Sequence, residues 1–370
     1  MNVLIAADYA TPASGNFIGS MMDLGIKMRK QNAQLLFVFP ENKNTTGESS
    51  WVRWLETCGF QVFLLNKTLP DADQLAFLMH IIREHQIDIL HIHFGLFHNV
   101  ALHNHSKLPV KIIVHEHMEY PAGCNHRKQT LRFMARSLLY RVRRIGVISV
   151  NKDVDRAYGL ARHWYVPNAL SLKRNVREST PRDERRAQLG FQQDDRVVLF
   201  LGWDLYRKGL DIAVKAVSKC REQDPTVRLA IVGLGELPSH EQKSFIQNAA
   251  GISPDEPWIR YLPSTEDMFS YLRAADVYLS ASRSEAFSYG LLEAISQDTP
   301  IAVSDIKGTH WSAQYSRSFF YPVESPESCA AAITDALERG KQIPSNYKEV
   351  IKSYNIDQWA EKITQIYSII

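Results

Sequence analysis

The stretch 277–308, VYLSASRSEAFSYGLLEAISQDTPIAVSDIKG, holds the residues whose types and spacing suit them best for chemistry. An apolar run, Val277–Ser282, leads into a loop containing Glu285. A helical pattern from about Tyr289 to Gln297 carries Glu293, and Ile301–Ser304 is a second apolar run. Read as strand, crossover helix and parallel strand, the unit opens a helix N-terminus at the carboxyl edge of a sheet, where ligands bind. The backbone N–H groups of Phe287, Ser288 and Tyr289, with Ala286 just ahead of them, then face an anion, and the helix dipole adds positive potential. Glu285 is placed to accept hydrogen bonds from sugar hydroxyls. Glu293, about one and a half turns further on, reaches a ribose, because carboxylates bind vicinal diols. The competing reading is a buried strand and an amphipathic helix with two solvated glutamates.

The elements that must position these groups alternate along the chain. Asn2–Ala7 is a strand, the loop Tyr9–Asn16 follows with Pro12, Ser14 and Gly15, and a helix begins at Phe17. Strands at Gln34–Pro40, Gln61–Asn66, Asp88–Phe94, Lys111–His117 and Gly146–Asn151 are separated by helical patterns. Such alternation predicts an α/β fold with a doubly wound parallel sheet. The stretch 171–195 is polar and broken by Pro181, as a linker is, and Val197–Trp203 opens a second domain. The expected division is 1–170, linker 171–195, 196–354, and a final helix 355–370 with apolar spacing at Trp359, Ile363, Ile366, Tyr367 and Ile370.

At 370 residues, with 45% hydrophobic and 22% charged residues, the chain has room for two globular domains, each with its own core. A formal charge of +3 is too small to argue for nucleic acid. No apolar run has the length of a membrane span, and the N-terminus reads as a strand rather than a leader, so a cytoplasmic protein is expected. Cys58, Cys124, Cys220 and Cys329 are widely spaced and suggest neither disulfides nor a zinc knuckle. Two histidine pairs end strands: His91 with His93, and His115 with His117. Alternate strand residues share a face, so each pair offers two metal ligands, but no third and fourth appear at metal spacing and no metal is expected. Asn125–Arg144 carries seven basic residues and no acid, with an apolar side. Two readings stand for it: contact with an anionic lipid surface or lipid-linked pyrophosphate, or a packed helix with a solvated basic face.

Glu285, Phe287, Gly290, Glu293, Ala294 and Pro300, all in register, resemble the nucleotide-sugar signature of retaining glycosyltransferases of the GT-B fold, family 4. The resemblance spans nearly the whole chain and is strongest in 197–309. It implies two Rossmann-like domains facing a cleft. It also implies that the loop after Val197–Trp203 grips a donor diphosphate. Lys208 and Gly209 match the pattern, while Trp203 stands where an arginine is usual, so Arg207 is expected to supply the second cation and Trp203 to pack on the base or sugar. Gly233 ends a strand where the backbone nears the nucleotide. Gly15 and Asn16 occupy the loop that approaches donor or acceptor, where Gly15 also reads as a plain turn residue. His115 matches a histidine facing the donor sugar and His93 one nearer the acceptor, and a structural strand-capping role stays open for both.

The expected activity is transfer of a hexosyl unit from a nucleotide sugar, with UDP as the expected carrier, to a hydroxyl acceptor. The context would be cell-surface polysaccharide or lipid-linked glycan synthesis, with Glu285, His115 and Lys208 as catalytic residues. Two alternatives remain: a nucleotide-sugar epimerase, and a non-catalytic partner of another glycosyltransferase.

Overall fold

A computed structural model describes residues 1–11, 13–41, 50–117, 126–172 and 180–370, with side chains of 126–130 excluded. Pro12, Cys124, Asn125, the side chains of Arg127 and Lys128, and linker residues 173–179 therefore lie outside the described residues.

The chain forms two units, one of Met1–Ser171 with Ile356–Ile370, the other of Leu172–Asn355. The first is built on seven parallel strands: β1 (Asn2–Ala7), β2 (Gln34–Pro40), β3 (Gln61–Leu65), β4 (Ile89–His93), β5 (Lys111–Glu116), β6 (Gly146–Ser149) and β7 (Arg162–Tyr165). Their order is β3-β2-β1-β4-β5-β6-β7. Strand β1 is apolar on both faces and almost wholly buried, as a central parallel strand covered by helices must be.

The second unit has six parallel strands: β8 (Arg196–Leu201), β9 (Val227–Val232), β10 (Ile259–Leu262), β11 (Val277–Ser280), β12 (Ile301–Ser304) and β13 (Ser318–Tyr321). Their order is β10-β9-β8-β11-β12-β13. Strand order reverses between β1 and β4 in one sheet and between β8 and β11 in the other. At such reversals the flanking loops part and leave a crevice at the strands' carboxyl ends. Both units are Rossmann-like.

The last helix, Ile356–Ile369, packs on the helix Gly15–Lys30 of the first unit. Trp359, Ile363, Ile366 and Tyr367 are buried there, each stabilising the contact by about 2 kcal/mol of apolar burial as an upper estimate. That apolar face, rather than the exposed Lys27–Glu361 ion pair, holds the helix to this unit.

The polar stretch read from sequence as a linker is partly folded. Arg182–Gln188 is a helix of the second unit. Its charges are used internally: Arg182 and Arg186 bond the two carboxylate oxygens of Asp276 at 2.6 and 3.2 Å, and Asp276 also accepts from the Val197 N–H at 2.9 Å. Basic residues that look solvated in sequence thus tie the helix to the start of β8.

Candidate functional site

In the second unit, the exits of β8, β9, β11 and β12 carry one group of residues. After β8 the chain turns through Gly202–Gly209. Gly209 sits at φ +74°, and a Cβ there would lie 2.1 Å from the Ala281 carbonyl oxygen, so only glycine lets this loop approach the β11 exit. Lys208 is thereby brought against Glu285, and the ammonium donates to Oε1. The Ser282 hydroxyl donates to the same oxygen at 2.9 Å, and Arg207 lies 3.9 Å from Oε2. Burial alone would push the Glu285 carboxyl up. Lys208, Arg207 and the Ser282 hydroxyl outweigh it and hold the group below the usual carboxylate range.

Glu285 is also approached from β12. A Cβ on Gly308 would lie 1.7 Å from the Glu285 carbonyl oxygen, so the turn at Gly308 and Thr309 fits against this loop only without a side chain. Beyond Ala286, Ser288 caps the helix Tyr289–Ser296, its hydroxyl accepting from the Leu291 N–H at 3.4 Å. Glu293 is buried on that helix. Glu285 and Glu293, after burial, both push the Tyr278 hydroxyl up, so the two carboxylates share one neighbourhood.

Arg207 donates to Asp204 Oδ2 at 2.8 Å, and its guanidinium lies 4.9 Å from the ring centre of Trp203, an indole 66% exposed. The backbone of Gly233 approaches Trp203 closely. The structure therefore brings Trp203, Arg207, Lys208, Gly233, Glu285–Tyr289 and Glu293 to one sheet edge. Phe287, expected to offer its backbone N–H, turns its side chain into the unit. It is buried, stacked on Trp311 at 4.5 Å and packed against Tyr354.

Sequence reading missed Arg283, which braces this edge. It bonds both oxygens of Asp211 at 2.9 Å and Glu324 at 2.8 Å, lies 4.0 Å over the Tyr206 ring, and its N–H donates to the Arg207 carbonyl at 2.8 Å. An arginine two residues before Glu285 was the visible signal. Its partners come from 72 and 41 residues away, and nothing local announces them.

In the first unit, Gly15 starts the helix after β1 at φ +56°. Asn16 does not face outward: its buried amide oxygen accepts from the Ser171 N–H at 2.8 Å. That bond ties the end of the unit's main segment to its first helix. His93 and His115 are 0% and 2% exposed. His117, just past β5, is half-buried and is the least enclosed of the four rings. Burial, helped for His91 by His117, pushes His91 and His117 down to about 3, and burial with the neighbouring imidazoles pushes His93 and His115 well below the ordinary value.

Residues 181–349 match the family described as Glycosyl transferases group 1. A phosphatidyl-myo-inositol mannosyltransferase of Mycobacterium tuberculosis is 28% identical over 187 residues, covering 48% of this chain and 47% of that protein. An alpha-monoglucosyldiacylglycerol synthase of Streptococcus pneumoniae is 24% identical over 247 residues, covering 60% and 53%. The chain spans about half the length of the curated relatives it matches. Among solved structures, Anabaena Alr3699/HepE in complex with UDP-glucose superposes over 100% of both chains with a TM-score of 0.79 at 14% identity, which shows a shared fold.

Proposed function

We propose, from a second unit that is a glycosyl transferases group 1 domain on a GT-B scaffold, that this chain transfers a hexosyl unit, with retention, from a nucleotide sugar to a hydroxyl acceptor. UDP is the carrier we expect. The observation that carries the reading is the convergence of Lys208 and Arg207 on Glu285 beside the start of the helix Tyr289–Ser296. A diphosphate at that helix N-terminus takes hydrogen bonds from the Ala286–Tyr289 backbone, while Lys208 and Arg207 counter the charge that builds as the glycosidic oxygen departs. Both cations already face carboxylates, Glu285 and Asp204, so donor binding exchanges part of those contacts for phosphate oxygens.

In this reading Glu285 holds the sugar hydroxyls, Glu293 the ribose, and Trp203 the base. A leaving phosphate oxygen accepts the acceptor's proton on the same face. No metal is required for these steps. For the first unit the reading keeps His115 facing the donor sugar and His93 nearer the acceptor, with His93 Nδ1 meeting His117 Nε2 at 2.9 Å.

The test is a panel of UDP-, GDP- and ADP-sugars. One nucleoside diphosphate stabilises the fold, by about 2.7 kcal/mol at a hundredfold excess over its dissociation constant, and its sugar is consumed when an acceptor is supplied. Conversion of the donor to another sugar nucleotide without acceptor identifies an epimerase. Stabilisation by none of them identifies a non-catalytic partner.

We also propose peripheral contact with an anionic lipid surface. On the helix His126–Val142, Leu131, Met134, Leu138 and Val142 are exposed and fall on one stripe. Arg132 and Arg141 are exposed on the same helix. A cavity of about 590 Å³ at its C-terminal end is lined by Lys111, Arg141, Arg144 and Arg162. An apolar stripe with basic flanks suits the headgroup boundary, where each basic residue contributes about 1 kcal/mol. The names of the two relatives above refer to phosphatidyl-myo-inositol and to a diacylglycerol glycolipid, which supports a lipid acceptor. No helix among the described residues is long and apolar enough to cross a membrane. Vesicles of phosphatidylcholine with phosphatidylglycerol carry the protein in flotation, and Met134→Glu with Leu138→Glu weakens binding at least tenfold. Equal recovery with uncharged vesicles refutes the electrostatic part.

A further inference from the structure

The two histidine pairs of the first unit stand on neighbouring strands, and the pairing of His93 with His115 in the β4–β5 register merges them into one cluster. Strand alternation puts His91, His93 and His115 on the same face. One ring nitrogen from each lies within 4.8 Å of the other two. The missing third ligand, invisible in either pair alone, is supplied by the sheet.

The hydrogen bonds of the cluster are one-sided. His93 Nδ1 meets His117 Nε2 at 2.9 Å, and His91 Nδ1 meets the Tyr367 hydroxyl at 2.6 Å. His115 Nδ1 meets His91 Nε2 at 3.2 Å, the longest of the three. Nε2 of His93 and Nε2 of His115 are buried without a partner. A metal-ligating histidine spends its other ring N–H on an outer acceptor and keeps the ligating lone pair dry. His93 and His91 have such outer partners in His117 and Tyr367. Two unsatisfied buried nitrogens at one place are costly, and one shared cation satisfies both.

We propose that this cluster binds a borderline divalent cation, Zn²⁺ being the best match, through Nε2 of His93, His115 and His91. His117 and Tyr367 orient the first and last of these, and a fourth position is left for water or a ligand oxygen. Bonds of about 2.0–2.1 Å in tetrahedral geometry need nitrogens roughly 3.4 Å apart. From at most 4.8 Å the ring nitrogens close in by up to about 1.4 Å, and the His115–His91 contact gives way. The site belongs to the first unit alone.

The experiment uses the full chain stripped with chelator and titrated with Co²⁺ alone. One equivalent binds with a visible ligand-field band of tetrahedral intensity, and Zn²⁺ displaces it. X-ray absorption of the Zn²⁺ form gives a nitrogen and oxygen shell with imidazole scattering and no sulfur. This measurement needs no variant and stands even where a histidine replacement misfolds. His93→Gln and His115→Gln each weaken binding at least tenfold, and Tyr367→Phe weakens it about tenfold. His80→Gln leaves it unchanged, although His80 pairs with Glu84 on an exposed helix surface and is the natural adventitious site. Absence of stoichiometric Co²⁺ binding, loss of binding in His80→Gln, or sulfur in the first shell overturns the proposal.

Discussion

Glu285→Gln lowers turnover by about two to three orders of magnitude while nucleoside diphosphate affinity changes by no more than a few fold. The replacement keeps the side chain's shape and removes its charge. On the proposed reading, what is lost is an anionic acceptor for sugar hydroxyls, an interaction of the size seen when one preorganised transition-state contact is deleted. The groups proposed to hold the diphosphate, Lys208, Arg207 and the helix start at Tyr289, are not replaced.

The same substitution leaves the largely buried Lys208 ammonium without its counter-charge, which destabilises the unit by up to about 3 kcal/mol. Turnover is therefore compared well below the variant's melting temperature. Lys208→Met is the companion experiment. It removes the cation proposed to hold the diphosphate, so on that reading it weakens nucleotide binding and turnover together, and the two variants separate sugar placement from phosphate binding. Unchanged turnover in Glu285→Gln, with an authenticated donor and acceptor, removes Glu285 from the mechanism.

Acidification of the chelator-treated chain from pH 7.5 to 5.5 lowers stability by about 5 kcal/mol, most of it through the first unit. His91, His93, His115 and His117 are faced by one another, by the Tyr367 hydroxyl and by the rings of Phe17 and Phe94. All four titrate below the ordinary histidine value, so the folded chain holds them neutral while the unfolded chain takes up protons near pH 6.5. Stability therefore rises with pH: it is fully present above the unfolded value and is lost as pH falls toward the folded values. One unit below pH 6.5, each histidine costs on the order of 1 kcal/mol, and four together approach the whole stability of an ordinary domain. Urea midpoints measured across this range check it, and a flat profile means that the cluster takes up protons without unfolding.

The sequence alone was enough for the α/β alternation, the strand-loop-helix unit around Glu285 and Glu293, and the helix start at Tyr289. These follow from periodicity and turn chemistry acting over a few residues. It was not enough wherever a residue's role depends on a partner brought from far along the chain. Asn16 is bonded to Ser171, 155 residues away, and basic residues read as a linker are held by Asp276. Arg283 went unnoticed because Asp211 and Glu324 meet it only after folding. The histidines show the division most sharply. Each pair was visible as a two-residue spacing, and strand alternation placed its members on one face. Which nitrogens meet, which stay dry, and which ring reaches the surface were decided by β4 pairing with β5 in one register and by the last helix returning Tyr367 over them. Local chemistry sets the spacing along a strand, whereas register and long-range packing set the distance between strands, and a shared site needs both.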